Sequence, residues 1–170
     1  MKIKKNIFSI HFINILLFAA LFLVQYSSTF NLKIFTVHPI LPLALLVAIC
    51  MYCSELRGAV TGLVVGIFLD TTTSTPQGFN AIVYCFLGLA SVLVIKHLFN
   101  NNILSAVSLC ALCSLFYFIT RWVFTIAFSL SFTENLKYIM SSIFPSCLYT
   151  AVFIIPLYYV EKFIYKKLYK

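Results

Sequence analysis

Apolar runs of near-helical length alternate with short polar breaks along the whole chain. A helix rises about 1.5 Å per residue and the hydrocarbon core of a bilayer is about 30 Å thick, so roughly 20 apolar residues make one crossing. The first such run covers Asn6–Tyr26. A polar stretch around Ser27–Lys33 separates it from a second, Val37–Cys53, which opens with Pro39 and Pro42. Ser54–Arg57 reads as a link that turns the chain back, and a third run, Gly58–Leu69, is short for a crossing. The following DTTTSTPQG stretch, Asp70–Gly78, is dense in residues that cap helices or make turns and predicts a loop. A fourth run, Phe79–Ile95, stops at Lys96, His97 and the Asn100–Asn102 cluster. The fifth, Ile103–Leu130, is long enough to cross with tilt and carries Arg121 toward its far end. The last, Ile139–Val160, contains Pro145 and Pro156, which predict kinks. The pattern predicts an all-α polytopic membrane protein with about six transmembrane helices, forming a single integral membrane domain over residues 1–170.

Composition sharpens this. Hydrophobic residues make up 62% of the chain and charged residues 9%, against about 25% charged in a soluble domain, so lipid must serve as solvent. Tyrosines near the run ends, Tyr52, Tyr138, Tyr158, Tyr159, Tyr165 and Tyr169, read as an interfacial belt.

The net charge of +8 is concentrated at the ends of the chain. With an even number of spans the termini share one side. Placing them in the cytoplasm puts Lys2, Lys4, Lys5, Arg57, Lys96, Lys162, Lys166, Lys167 and Lys170 inside and only Lys33 and Lys137 outside, which selects that orientation. The charge is thus a topology signal and not a nucleic-acid footprint, and the basic tail is suited to anionic lipid headgroups. Lys2–Lys5 followed by Ile7–Val24 also has the form of a signal peptide. The run of about 18 residues exceeds a usual h-region and no small-x-small site follows it, so an uncleaved span is expected.

Gly58, Gly62, Gly66 and Asp70 recur every fourth residue and lie on one face of a helix, where glycines permit backbone-to-backbone approach of another helix of this chain or of a partner subunit. Asp70, at the outer end of that segment, has three expected roles: capping the next turn, pairing with Arg121, which lies toward the same face, directly or through water, or binding a substrate or ion. Glu134 is the rival acid for Arg121. Two CxxC pairs, Cys50 with Cys53 and Cys110 with Cys113, lie within apolar segments, where cysteine behaves as a small buried hydrophobe; Cys85 and Cys147 add nothing to the pattern. His11, His38 and His97 have no ligand or triad partner at useful spacing. With four acids in all and no nucleophile or phosphate-binding motif, a non-enzymatic protein without metal or cofactor is expected.

The stretch RGAVTGLVVGIFLDTTTSTPQGFNAIVYCFLGLASVLV, Arg57–Val94, resembles the core of the rod shape-determining protein MreD family. The resemblance rests on a glycine-spaced helix ending in Asp, a loop closing with Gly, and a following helix with an aromatic and another small residue. In this chain these are Gly58, Gly62, Gly66, Asp70, Gly78, Asn80, Tyr84 and Gly88. It covers about a quarter of the chain. It implies an inner-membrane component of the bacterial cell-elongation machinery, acting with MreC, MreB, RodA and the elongation transpeptidase. It also implies a fold similar to the substrate-binding components of energy-coupling-factor vitamin transporters, and no catalytic residue. The glycines carry over as packing or partner-contact positions, and Asp70, Asn80 and Arg121 form an expected polar site at the outer face. The alternative expectation is a vitamin-binding transporter subunit, in which Asp70, Gln77, Asn80, Arg121 and Trp122 would converge on a ligand.

Overall fold

The computed structural model describes residues 2–26, 39–73, 76–97, 102–125 and 139–168. Among these the chain is helical, in the order α1 (Lys2–Tyr26), α2 (Leu41–Cys50), α3 (Glu55–Asp70), α4 (Phe79–His97), α5 (Ile103–Thr125) and, after a π-helical turn at Ile139–Ile143, α6 (Phe144–Leu168). Three stretches, Phe79–His97, Ile103–Phe124 and Met140–Lys167, are long and apolar enough to cross a membrane, and shorter apolar helical stretches occur at Ile13–Gln25 and Leu41–Cys50. The protein is thus an all-α membrane protein.

The centre of the bundle is α2. Its sequence, LPLALLVAIC, has no polar face, and a helix that is apolar all round is buried all round. All ten of its residues are buried, with neighbours from each of the other five helices. Burial leaves the donors at its start without water, and Ile40 has no side-chain oxygen to cap them. Neighbouring helices supply the acceptors: Thr150 Oγ1 of α6 takes the Ile40 N–H at 3.2 Å and Gln25 Oε1 of α1 takes that of Leu41 at 2.9 Å. Pro42 follows and has no N–H to satisfy, so a proline here is harmless.

Several boundaries depart from the hydropathy reading. The second run yields a ten-residue helix instead of Val37–Cys53, because Pro39 and Pro42 confine its start and the chain turns at Met51–Cys53. The expected link Ser54–Arg57 is instead the first turn of α3, with Ser54 in extended conformation at its N-cap. The polar residues Glu55 and Arg57 extend this helix to 16 residues, beyond the apolar core Gly58–Leu69 that hydropathy marks. The fourth run continues to His97, and the last continues past Val160 to Leu168 through its basic residues. Near the start of α6, Pro145 offers no N–H to the carbonyl of Ser141, and the chain ahead of it adopts the wider π geometry. The expected interfacial tyrosines divide: Tyr159 is exposed, whereas Tyr158 is buried, and Tyr52 stacks on Tyr165 with ring centroids 5.0 Å apart. Residues 126–130 of the fifth run, His38, Lys33, Glu134 and Lys137 lie outside the described residues, as does the side chain of His11.

Candidate functional site

The site expected at the glycine stripe is an antiparallel hairpin of α3 and α4. Gly58 faces Gly88, Gly62 faces Tyr84 and Cys85, and Gly66 faces Asn80 and Ala81, so each step of four residues up α3 is matched by a step of four down α4. The opposing atoms are mostly backbone. A Cβ on Gly58 would sit 2.9 Å from the Gly88 carbonyl oxygen and 2.6 Å from Val92 Cγ2, and Cβ atoms on Gly62, Gly66 or Gly88 would press closer still on backbone of the facing helix. Of the two expectations for the stripe, the structure realises packing within the chain: the glycine face is covered by α4 and is buried. Packing within the chain does not extend to Gly78. A Cβ there would meet nothing within 4 Å, and its φ of 87° marks a turn residue just before α4, a conformation that glycine adopts without steric cost.

Both ends of the hairpin are tied. At one end Lys96 Nζ donates to Glu55 Oε1 at 2.7 Å, which holds the exposed Glu55 carboxyl below its ordinary range, first through that hydrogen bond and then through the charge of Lys96. At the other end Asp70, the last residue of α3, caps α4. Its Oδ1 accepts the Asn80 N–H and the Asn80 side-chain amide, each at 3.0 Å, and its Oδ2 accepts the Ala81 N–H at 3.1 Å. A carboxylate at a helix N-terminus satisfies orphan donors and meets the positive end of the helix dipole. The glycine periodicity sets this geometry: Asp70 is one further step of the stripe that brings the two backbones together, so its carboxylate reaches the facing helix start.

Asn80 is the hub of the network. It is fully buried, and its amide donates to Thr73 Oγ1 at 2.8 Å as well as to Asp70. Its Oδ1 accepts the hydroxyl of Tyr117 from α5 at 2.9 Å. Thr73 in turn donates to the Leu69 carbonyl at 2.9 Å, and Tyr117 packs edge-on against Tyr84 with centroids 5.3 Å apart. One connected set of hydrogen bonds therefore runs from the end of α3 through the start of α4 to the middle of α5. Bonds of this kind in a low-dielectric interior fix geometry, because a buried amide left without partners is costly.

Asp70 and Asn80 of the expected polar site thus come together, while Arg121, one helical turn beyond Tyr117, makes no direct bond to either. Arg121 is partly exposed and forms no ion pair with Asp70, whose oxygens are occupied by the α4 cap. Gln77 is exposed and likewise stands apart from this network among the bonds described. Sequence reading missed Thr73 and Tyr117. A signal for Thr73 exists, a hydroxyl in the turn three residues past Asp70, but Tyr117 lies 37 residues beyond Asn80 and nothing local links them. The thiols occupy helix crossings. Cys50 Sγ donates to the Gly88 carbonyl at 3.5 Å, Cys113 contacts Ser91 Oγ at 3.3 Å, and Cys110 Sγ lies 3.9 Å from the Thr150 carbonyl. All six cysteines are free. Chemically the network is a clamp, since its carboxylate, amide and phenol spend their hydrogen bonds on one another and on the backbone. The chain matches no protein-family model, no curated protein and no solved structure.

Proposed function

We propose that this protein is a non-enzymatic subunit of the bacterial inner membrane that scaffolds the cell-elongation machinery, binding MreC and, through it, MreB, RodA and the elongation transpeptidase that build the lateral wall. On this reading the chain crosses the bilayer about six times with both termini in the cytoplasm. Its fold then resembles the substrate-binding components of energy-coupling-factor transporters. The observation that carries the reading is the Asp70–Asn80 clamp on a glycine-packed hairpin, because these residues are the ones on which the resemblance to the MreD family rests. A rigid hairpin whose polar groups are consumed internally suits a subunit that presents a fixed shape to partners.

The transporter alternative needs free polar groups converging on a ligand. Asp70 and Asn80 are already engaged, which favours the scaffold. The test is affinity recovery of the tagged full chain from native membranes. Recovery of an MreC-type subunit together with rounding of cells depleted of the protein is the expected result. Recovery of a vitamin and an ATPase module, with cell shape unchanged on depletion, would overturn it. Reporter fusions at Met1 and Lys170 check the orientation, which fails if either reporter is external.

A further inference from the structure

The helices α1 and α3 flank α2 with their backbones held apart among the described residues, and they meet only through side chains. The space between them is a groove of about 260 Å³, floored by Leu45 and Ile49 of α2 and walled on the α3 side by Val64. At one end Phe18 of α1 closes against Phe68 of α3, with ring centroids 5.9 Å apart. The other end is bordered by Tyr165 of α6 and by Arg57 in the first turn of α3.

The dimensions select an occupant. From Arg57 to Phe68 the groove follows α3 for about 16 Å, close to the length of one acyl chain, two of which end to end make up a hydrocarbon core about 30 Å thick. The space open to the centre of a water molecule, spread over that length and widened by a water radius of about 1.4 Å on each side, leaves a channel about 7 Å wide, still narrower than the about 10–12 Å of a helix with side chains, so a single hydrocarbon chain enters it and a partner's whole transmembrane helix does not. Charge selects further. Arg57 is exposed and forms no ion pair among the described residues, although it stands where the apolar lining ends. Tyr165 belongs to a stretch of α6 that carries Lys162, Lys166 and Lys167 together with the buried Glu161, and Arg57 is the charged residue that itself lines the groove. A guanidinium in that position is suited to bidentate bonding of a phosphate oxygen pair, and its positive charge, without an ion-pair partner among the described residues, favours a headgroup with net negative charge.

We propose that the groove between α1 and α3 holds one acyl chain of an anionic phospholipid, with Arg57 binding its phosphate. This goes beyond the scaffold role and requires only that the chain lie in a bilayer, so it stands or fails separately from the partners named above. The experiment is native mass spectrometry of the full chain in detergent, titrated with phosphatidylglycerol and with phosphatidylcholine of the same acyl chains. One phosphatidylglycerol should bind saturably, about tenfold or more tighter than phosphatidylcholine. Arg57→Gln should abolish that preference, and phosphatidylglycerol with six-carbon chains should bind about tenfold more weakly because it leaves the groove unfilled. Val64→Trp, which fills the groove from a partly exposed position, should remove the saturable site while helical content is kept. Equal binding of the two headgroups by the unaltered chain, a preference that survives Arg57→Gln, or indifference to acyl length would each overturn the proposal. So would recovery of free fatty acid in place of the phospholipid. The headgroup and chain-length arms need no variant, so a Val64→Trp protein that failed to fold would leave the decision with them.

Discussion

Replacing Asp70 with alanine removes three hydrogen-bond contacts at the junction of α3 and α4. The Asn80 and Ala81 N–H groups lose their cap, a change that costs about 0.5–2 kcal/mol at a helix N-terminus. The buried Asn80 amide also loses a carboxylate acceptor, and hydrogen bonds to charged groups run to about 1.5–3 kcal/mol. Thr73 remains an acceptor for that amide and softens the second loss. Together these put Asp70→Ala near a 3 kcal/mol loss, more than about a hundredfold in the folded-to-unfolded ratio. Asp70→Asn keeps one oxygen and should lose about half as much. The assay is loss of helical circular dichroism as dodecyl sulfate is raised in mixed micelles. An Asp70→Ala protein within about 0.5 kcal/mol of the unaltered chain would refute the clamp as a source of stability.

Gly62→Ala drives a Cβ into the Tyr84 carbonyl and should cost several times more than Gly78→Ala, whose penalty is only the positive φ, about 1–2 kcal/mol; paired unfolding curves give the ranking. Tyr117→Phe leaves a buried Asn80 oxygen without its phenol donor and should cost about 1–3 kcal/mol in the same assay. Arg121→Gln should be near neutral, within about 0.5 kcal/mol, and the exchange Asp70→Arg with Arg121→Asp should recover none of the Asp70 loss; recovery would restore the ion pair as an explanation. The Glu55 carboxyl is held below its ordinary range by Lys96, so the contribution of this pair is present at neutral pH and is lost as pH falls through the lowered value. Lys96→Met should return the Glu55 titration to the ordinary range, read by NMR of the labelled side-chain carboxyl, and an unmoved titration would contradict the pairing.

Hydropathy and glycine spacing carried a large part of this protein in one dimension. Apolar runs must become helices in lipid because every backbone polar group has to be satisfied within the segment, so the helical class and the approximate place of each element follow from composition. The four-residue repeat of Gly58, Gly62, Gly66 and Asp70 marked a helix face by simple periodicity, and the structure covers that face with α4. The ends of helices were less legible, since Glu55 and the lysines after Val160 are polar yet helical, and hydropathy measures solvent preference and not backbone conformation. Gly78 was read with the packing glycines because spacing alone does not distinguish a small side chain from a positive φ. What only the tertiary structure decided is which residues meet across long intervals. Tyr117 reaches Asn80 from 37 residues away, Thr150 caps α2 from 110 residues away, and Asp70 takes the start of α4 in place of Arg121. The physical reason is that an apolar run states that a helix is buried in lipid or protein without stating against which neighbour, and only packing in three dimensions assigns each buried polar group its partner.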